Sequence, residues 1–277
     1  MLRAALIQLN SSDDPAANLP VTSGFVREAA GQGAQFVLTP ENTNCVSQDR
    51  NWQEQVLQSE TEDRTLAALR GLAAELSIWL LIGSIGVKSG DGDGRFANRS
   101  FMLSPAGEIV ARYDKMHMFD VQVSETETFR ESAAYRPGSR AVLAETGFAK
   151  VGMTVCYDLR FAQLYRRLAQ AGAQILTVPA AFSPVTGKAH WEVLLRARAI
   201  ETGCFVLAPA QTGDHAISHG KPRRTFGHSL AVAPWGEVLA DAGTEPGVTM
   251  VELDLTQVAE ARRRLPSLQH DRDFEGP

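Results

Sequence analysis

The feature that most constrains the fold is an alternation of short apolar segments with amphipathic helical segments, which begins at the amino terminus. Residues 3–9 are typical of a buried strand, residues 18–30 have the periodicity of a helix, and residues 35–38 are again apolar. Gly31 and Gly33 mark the end of the helical segment. A strand, a helix and a second strand at this spacing predict a βαβ unit, in which the two strands are parallel neighbours.

The same alternation continues along the chain. Further helical segments are residues 60–77, 161–171, 190–202 and 254–265. Further strand segments are residues 78–85, 97–103, 108–113, 151–155, 174–179, 204–208, 227–233, 237–240 and 248–253. Residues 114–137 lack a clear period, and so long a loop inside a compact domain is usually functional or disordered. Its start, Lys115-Met-His117-Met-Phe119, favours a functional segment. Because no linker or low-complexity segment divides the pattern, it predicts one α/β domain with helices outside and sheets inside.

The composition excludes several classes of protein. Hydrophobic residues make up 44% and charged residues 21% of the 277 positions, as in an ordinary globular protein. A net charge of −5 argues against a general nucleic-acid binder, and the basic cluster at residues 221–224 is expected to lie in a solvated loop. Three scattered cysteines cannot form a disulfide framework. With no evident secretory signal or membrane-spanning run, a cytoplasmic protein that does not bind membranes is expected.

Cys156 lies where the predicted strand at residues 151–155 leads into the helix at residues 161–171. The N–H groups and the positive dipole end at a helix start lower the pKa of a thiol placed there, which favours a nucleophile. A free cysteine is also a common residue of a buried core, so its position alone leaves both interpretations open.

Two charged residues, Glu41 and Lys115, also follow predicted strands. Amide hydrolysis by a thiol needs a base for the thiol proton, a donor for the oxyanion, an acid for the leaving nitrogen and a way to activate water. No histidine lies beside Cys156 to serve as the base. Because strand ends gather at one edge of an α/β sheet, Glu41 and Lys115 are candidates for these roles. Exposed surface charge is the alternative interpretation.

Three segments resemble the three signatures of the nitrilase superfamily of carbon–nitrogen hydrolases, in the family's order and at its usual spacing. They are Thr39-Pro-Glu41, Arg112-Tyr-Asp-Lys115 and Gly152-Met-Thr-Val-Cys156-Tyr-Asp. The similarity extends over nearly the whole chain and includes residues 190–201, 227–229 and 234–236.

The resemblance implies an αββα sandwich of two mixed sheets with outer helices, and a Glu-Lys-Cys triad carried by Glu41, Lys115 and Cys156. In this scheme Glu41 takes the thiol proton, and Cys156 attacks the amide carbon. The Lys115 ammonium and the backbone N–H of Tyr157 hold the oxyanion. Glu41 then protonates the leaving nitrogen and later activates the water that cleaves the thioester.

The family also has a second glutamate in the long loop after the lysine. Glu131, in Phe129-Arg-Glu131-Ser132, matches that pattern best, and Glu125 and Glu127 lie nearby as alternatives. The resemblance implies that this glutamate keeps Lys115 charged and oriented.

The closest resemblance within the superfamily is to the branch of omega-amidases and deaminated-glutathione amidases. Arg160, Phe182 and Thr186 fall on positions that bind the α-keto-acid end of the substrate in that branch, and residues 180–187 fit a pocket-lining loop. A guanidinium can hold a carboxylate with two hydrogen bonds. A structural ion pair of Arg160 with Asp158 or Glu192 remains the alternative.

The predicted function is therefore that of an amidase. It would hydrolyse a small carboxylate-bearing amide, such as deaminated glutathione or a related α-keto-acid amide, through a cysteine thioester, releasing ammonia. An omega-amidase acting on α-ketoglutaramate is one alternative, and a nitrilase or N-carbamoyl amino-acid hydrolase with the same triad is another. Apart from substrate and water, the expected partner is a second copy of the chain, in a dimer or larger homo-oligomer.

No cofactor and no metal is expected. His215 and His219 have a spacing compatible with a metal, but the sequence offers no evident third ligand. Residues 1–277 are predicted to form one carbon–nitrogen hydrolase domain, in which residues 266–277 are a carboxy-terminal tail.

Overall fold

Two six-stranded mixed sheets pack against each other in the computed structural model, which describes residues 1–123, 125 and 127–276. Ser124 and Thr126 of the predicted loop and Pro277 of the predicted tail lie outside the described residues. The helices are α1 (Pro15–Gly31), α2 (Arg50–Val56), α3 (Arg64–Leu76), α4 (Ala162–Gln170), α5 (Pro184–Thr202) and α6 (Thr256–Arg264). Short 3-10 helices span Glu131–Ala133, Cys156–Arg160 and Ser267–Gln269.

The strands follow in chain order. They are β1 (Leu2–Gln8), β2 (Phe36–Leu38), β3 (Trp79–Lys88), β4 (Phe96–Leu103), β5 (Ile109–Asp114), β6 (Asp120–Gln122), β7 (Thr128–Arg130), β8 (Val142–Glu145), β9 (Lys150–Met153), β10 (Ile175–Thr177), β11 (Phe205–Ala208), β12 (Thr212–Asp214), β13 (Arg224–Phe226), β14 (Leu230–Val232), β15 (Val238–Asp241) and β16 (Gly247–Leu253). Two small ribbons, β6–β7 and β12–β13, lie outside the main sheets.

The two main sheets have the same internal arrangement. The first has the order β16-β1-β2-β3-β4-β5, and the second has the order β15-β14-β11-β10-β9-β8. Three neighbouring strands are parallel in each sheet, β1 to β3 in the first and β9 to β11 in the second, and the flanking strands are antiparallel. The parallel pairing of β1 with β2 confirms the predicted βαβ unit.

The period of two along β1 explains the layers. Ala5 and Ile7 pack with α1 and α3 on the outer face of the first sheet. Ala4 and Leu6 point to the opposite face, where they join a core cluster that includes β9, β10 and β11 of the second sheet. Helices α4 and α5 cover the far side of the second sheet. The predicted αββα sandwich is therefore confirmed.

Helix α5 begins earlier than the sequence indicates. It starts at Pro184, where a fixed φ and a missing N–H suit the first position of a helix, and not at residue 190. The prediction that residues 180–187 form a loop is therefore wrong for residues 184–187. Gly187 is a poor helix former and therefore argued against a helix at this position. A Cβ there would lie 2.3 Å from Cγ of Phe226, so close packing requires glycine.

The other elements that were not predicted are short, and they include the four-residue strand β8. Helix α2 has seven residues and gives too little periodicity to detect, although the Asp49 carboxylate caps it by accepting from the Trp52 N–H. The predicted loop at residues 114–137 contains β6, β7 and a 3-10 helix, and β12 and β13 were also not predicted. Three-residue strands are too short to show an alternation.

Candidate active site

Three strand ends bring the catalytic candidates together. Glu41 follows β2 and Lys115 follows β5 in the first sheet. Strands β2 and β5 run in the same direction, because β3 is parallel to β2 and two antiparallel pairings separate β3 from β5. Both residues therefore emerge at the same edge. Cys156 follows β9 of the second sheet and meets them across the sandwich, where all three line one cavity.

Glu41 and Lys115 form a buried ion pair. Lys115 Nζ donates to Glu41 Oε1 over 2.9 Å, and the two side chains are 2% and 4% exposed. The other oxygen, Oε2, accepts the backbone N–H of Ala181 over 2.9 Å. The turn that carries Glu41 lies against Gly83, where a Cβ would come within 2.0 Å of Thr39 O, so the close approach requires glycine. A buried carboxylate with this set of donors has one fixed orientation.

Glu131 is the second carboxylate on Lys115. Its oxygens lie 2.9 Å and 2.8 Å from Lys115 Nζ, and Oε2 also accepts the Phe119 N–H over 2.6 Å. The amide of Asn98 bridges the two glutamates, with 2.9 Å to Glu41 Oε1 and 3.3 Å to Glu131 Oε1. Glu125 and Glu127, the alternatives from sequence, do not line the cavity among the described residues.

Cys156 occupies a constrained turn. Its φ is +49°, in the left-handed region that residues other than glycine rarely adopt. The Cys156 N–H donates to Pro179 O over 2.9 Å, which ties the turn to the segment after β10. Backbone conformations of this kind are concentrated at functional sites, where the surrounding structure maintains them. The turn directs Sγ into the cavity beside Glu41.

Burial and charge set the protonation states of the site. Burial raises the pKa of Cys156 well above its ordinary value, and the charge of Glu41 adds to the effect against that of Lys115. Burial also acts to raise the pKa of Glu41, but the Lys115 charge and the hydrogen bonds of Lys115, Cys156 and Ala181 outweigh it and lower that pKa. Burial acts to lower the pKa of Lys115, but Glu131 and Glu41 raise it strongly.

The resting site therefore holds a neutral thiol beside an ionised glutamate and a charged lysine. The prediction that a helix start lowers the pKa of Cys156 is wrong. Cys156 begins a 3-10 helix of five residues, and α4 begins only at Ala162, so the dipole near the sulfur is short. Burial and the Glu41 carboxylate outweigh its field.

The backbone N–H of Tyr157 is placed at the start of the same 3-10 helix. The first N–H groups of a helix have no carbonyl partner within it, so this one suits an anionic oxygen. Asp158 stabilises the turn from behind. Its buried carboxylate accepts the Val155 N–H over 2.9 Å, the Tyr113 hydroxyl over 2.7 Å and the His117 N–H over 3.1 Å. The turn and the segment after Lys115 are thereby joined.

The cavity beside this cluster has a volume of ≈ 420 Å³. Pockets of about 300–1,000 Å³ typically hold drug-sized ligands. Phe182 and Thr186, predicted as substrate contacts, both line it, with Thr186 in the first turn of α5. Aromatic rings of Phe119, Phe129 and Tyr157 form part of its wall.

Arg160 is not among the described residues that line the cavity. Its guanidinium lies 5.5 Å from the ring centre of Phe182 and 5.7 Å from that of Tyr157, and it approaches His190 Nδ1 at 3.3 Å. The alternative ion pairs are not formed among the described residues, because Asp158 bonds to the groups named above and Glu192 pairs with Arg196. Arg160 thus packs behind two rings that face the cavity.

Three features of the site escaped the sequence analysis. Asn98 is a polar residue within the largely apolar β4, a signal that could have been recognised. The Ala181 N–H is a backbone group, so its role cannot be predicted from the identity of the residue. Arg223 was assigned to a solvated loop with its neighbours, and this prediction is wrong for Arg223. It is half-buried and lines the cavity, whereas Arg224 is exposed.

The histidines considered for a metal have structural contacts. His215 Nδ1 lies 2.6 Å from Ser11 O and Nε2 lies 2.7 Å from Thr225 Oγ1, and burial lowers its pKa to about 4. His219 stacks on Trp52 at 3.8 Å. Within the described part of the chain, no three His, Cys, Asp or Glu residues are grouped so that they could hold a metal ion. The helices described are all too short or too polar to cross a membrane.

Known proteins are similar in sequence to this chain over nearly its whole length. The family model for carbon-nitrogen hydrolase matches residues 3–263. The deaminated glutathione amidase of Yersinia enterocolitica is 38% identical over 97% of this chain and 92% of its own length. Human omega-amidase NIT2 is 37% identical over 98% of this chain and 95% of its own length.

Solved structures agree with the fold. Saccharomyces cerevisiae Nit3, a member of branch 10 of the nitrilase superfamily, superposes with a TM-score of 0.86 and 27% identity over 99% of this chain and 97% of its own. The amidase from Nesterenkonia sp. AN1, in a Glu-to-Gln mutant with acrylamide added to its active-site cysteine, has a TM-score of 0.76 and 28% identity over 96% and 98% of the two chains. The protein belongs to the carbon–nitrogen hydrolase family of the nitrilase superfamily.

Proposed function

We propose that this protein is an amidase that hydrolyses a small carboxylate-bearing amide through a thioester on Cys156. One observation carries the proposal. Lys115 Nζ is held by Glu41 at 2.9 Å and by Glu131 at 2.8 Å in the cavity that Cys156 also lines. This set supplies a base, an oxyanion donor and a nucleophile with no further group.

Acylation begins with the neutral thiol. Glu41 accepts the thiol proton as Cys156 Sγ attacks the amide carbon, since the high pKa of the thiol and the low pKa of Glu41 disfavour transfer before attack. The Lys115 ammonium and the Tyr157 N–H stabilise the oxyanion. Glu41 then returns the proton to the leaving nitrogen, the C–N bond breaks, and a thioester remains.

Deacylation uses the same groups in reverse. Glu41 takes a proton from water, and the hydroxide attacks the thioester carbon. The second oxyanion is held as the first was, and its collapse releases the carboxylic acid and returns the proton to the sulfur. Glu131 keeps Lys115 in position throughout and Asn98 does the same for Glu41, because Glu131 accepts from Lys115 and the Asn98 amide donates to both glutamates.

The substrate is proposed from the relatives that carry the name deaminated glutathione amidase. Phe182 and Thr186 would contact the α-keto-acid end, and the Arg160 charge behind Phe182 would attract its carboxylate through space. The leaving group depends on the substrate. A primary amide releases ammonia, whereas the amide nitrogen of deaminated glutathione belongs to cysteinylglycine, which would leave instead. The expectation of ammonia therefore applies to primary amides only.

An omega-amidase acting on α-ketoglutaramate is the second candidate, supported by the likeness to human NIT2. A nitrilase or N-carbamoyl amino-acid hydrolase would use the same triad. Amine or ammonia release, measured across deaminated glutathione, α-ketoglutaramate, a nitrile and a carbamoyl amino acid, separates these activities. We expect deaminated glutathione to have the highest kcat/KM of the four compounds. No turnover of either amide would contradict the proposal.

We also propose a homodimer or larger homo-oligomer in a reducing compartment such as the cytoplasm. Ile200, Trp235 and Leu265 are exposed near the end of α6, and an apolar surface of this kind is typical of subunit contacts. The cysteines of the chain, all buried, are free. Light scattering at micromolar concentration should give at least twice the mass of the chain, and a monomer would contradict the assembly.

We also propose that the chain is a single domain with a short carboxy-terminal tail. Residues 1–277 would form one carbon–nitrogen hydrolase domain with residues 266–277 as its tail. Leu268 packs against the core and Arg166 pairs with Asp271, so the first part of this tail is attached to the second sheet's helices. Limited proteolysis should remove only the last few residues and leave the rest intact.

A further inference from the structure

Arg223 is a cation of the cavity that the catalytic scheme does not use. Its guanidinium lies 4.7 Å from the ring centre of Phe129, and Nη2 donates to Ala181 O over 2.7 Å. Burial lowers the pKa of Arg223, and the nearby carboxylates of Glu41, Glu127 and Glu131 offset this only in part. A guanidinium presents five N–H donors, so the bond to Ala181 leaves several for another group.

The loop that carries Arg223 is fixed from several directions. It joins β12 to β13, and the His215 N–H donates to Arg223 O over 2.9 Å to close it. The buried Asp13 carboxylate accepts the N–H groups of Ser218 and His219 over 2.7 Å and 3.0 Å. Trp52 stacks on the His219 ring. Arg223 is thus presented to the cavity by a braced segment, as a binding residue requires.

The charges that line the cavity favour an anion near this loop. Three carboxylates and four cations line it, namely Glu41, Glu131 and Asp49, and Lys115, Arg130, Lys221 and Arg223. Lys115 is already paired with two of the carboxylates. Among the other charges, the three cations Arg130, Lys221 and Arg223 outnumber Asp49 of the lining and Glu127, which acts on Arg223, so an acidic ligand group is attracted to the two loops that carry these cations.

The position of Arg223 relates it to the leaving group. Glu41, which protonates the leaving nitrogen, accepts the Ala181 N–H, and the carbonyl of the same residue accepts from Arg223. The segment that continues from Glu41 lines the cavity up to Gln53, together with Gly220 and Lys221. The function proposed above assigns Phe182 and Thr186 to the acyl end, which leaves the lining residues around Arg223 and Lys221 for the amine part.

We propose that Arg223 binds a carboxylate carried by the leaving group, so that secondary amides with an acidic amine part are the preferred substrates. The proposal rests on the amidase function proposed above. The guanidinium can form two parallel hydrogen bonds to a carboxylate, which gives both affinity and orientation. In deaminated glutathione the carboxylate of the terminal glycine would be the group bound.

A matched pair of substrates tests this contact. Deaminated glutathione and its derivative with a carboxamide in place of the glycine carboxylate differ in that one charged group. The wild-type protein should have a kcat/KM ratio, acid over carboxamide, well above one. The ratio should fall about 10- to 100-fold in Arg223→Gln, the loss expected for a hydrogen bond to a charged group. Arg223→Lys should restore part of it, and Arg224→Gln, at an exposed residue, should leave it unchanged.

The outcomes that overturn the proposal are distinct. Arg223→Gln could lower kcat/KM equally for both substrates, which would assign Arg223 to positioning Ala181 and Glu41. An unchanged ratio would show that Arg223 does not contact the leaving group.

Binding of the same pair to Cys156→Ala, by calorimetry, tests the contact without turnover. The acid should bind more tightly by a similar factor, and adding Arg223→Gln should abolish that difference. If this holds while the wild-type protein cleaves no amide, the amidase function fails and the Arg223 contact stands. Equal affinities in Cys156→Ala would overturn the contact alone.

Discussion

The catalytic cluster and the cavity wall around it are built in different ways. Glu41, Lys115 and Cys156 each follow a strand of a main sheet, and all three are buried. Phe182 lies in the segment before α5, Thr186 in the first turn of α5, and Arg223 in the loop between β12 and β13. Sheet geometry thus fixes the groups that we propose make and break bonds, whereas helix starts and loops supply those that would contact the rest of the substrate.

Because of this difference, the cluster should determine the rate of hydrolysis and the wall should determine which amides are preferred. Every polar atom of the Glu41 carboxylate has a partner, from Lys115, Asn98 or the Ala181 N–H, so the cluster tolerates little change. In the wall, Phe182 is buried, but Thr186 and Arg223 are partly exposed, and the Arg223 guanidinium lies against the ring of Phe129. Changes in the cluster should therefore reduce the rate on every amide, and changes in the wall should alter the ranking of amides.

The largest effect is expected from Cys156→Ala. It removes the nucleophile and little packing, so turnover should fall by ~10⁴-fold or more while the fold is kept. The measurement is kcat on a neutral amide, with circular dichroism as the check on folding. Cys45→Ala and Cys204→Ala are the controls, since both cysteines are buried outside the cavity and should keep most activity. A comparable loss in all three would assign a structural role to Cys156.

The second largest fall in kcat is expected from Glu41→Gln. It removes the base and the acid together but keeps the shape of the side chain, and Lys115 still pairs with Glu131. We expect kcat to fall at least ~10²–10³-fold on neutral and charged amides alike, comparable to the loss of an oxyanion donor. Glu54→Gln, at an exposed residue of α2, is the matched control. Near-normal kcat in Glu41→Gln would contradict the mechanism.

That the members of the cluster gather could be predicted for a physical reason, whereas their roles came from the resemblance to the nitrilase signatures. Glu41, Lys115 and Cys156 follow apolar strands, and strand ends converge wherever such sheets form. Arg223 could not be placed in this way, because its loop depends on contacts with Asp13 and Trp52, which are distant in the sequence. The early start of α5 was missed because Gly187 breaks the helical pattern for the sake of packing on Phe226.

A smaller and more selective reduction in kcat/KM is expected from Arg160→Met. The kcat/KM ratio of an α-keto-acid amide to a neutral amide of the same size should fall about 10-fold, because the attraction between the Arg160 charge behind the rings and the substrate carboxylate is lost. The methionine keeps contact with the rings of Phe182 and Tyr157, which the Arg160 guanidinium covers. If both substrates are slowed equally, Arg160 only supports those rings.

The smallest expected effect is that of pH on kcat/KM between pH 7 and about 5. The pKa of Glu41 is lowered from its ordinary value of 4.5, so the base stays ionised as pH falls toward that value. The kcat/KM on a neutral amide should therefore hold between pH 7 and about 5 and decline only below the ordinary carboxyl range. The stability that ionised Glu41 contributes is lost in the same low window. Half the activity lost near pH 6 would contradict this protonation state.

The central claim is that the amide carbon becomes bonded to Cys156. Mass spectrometry after rapid acid quench of the wild-type protein with deaminated glutathione tests it directly. The account predicts that the peptide containing Cys156 gains the mass of the acyl group less one hydrogen, and that the peptides containing Cys45 and Cys204 do not. Turnover without any acyl adduct on Cys156, or turnover that persists in Cys156→Ala, would contradict it.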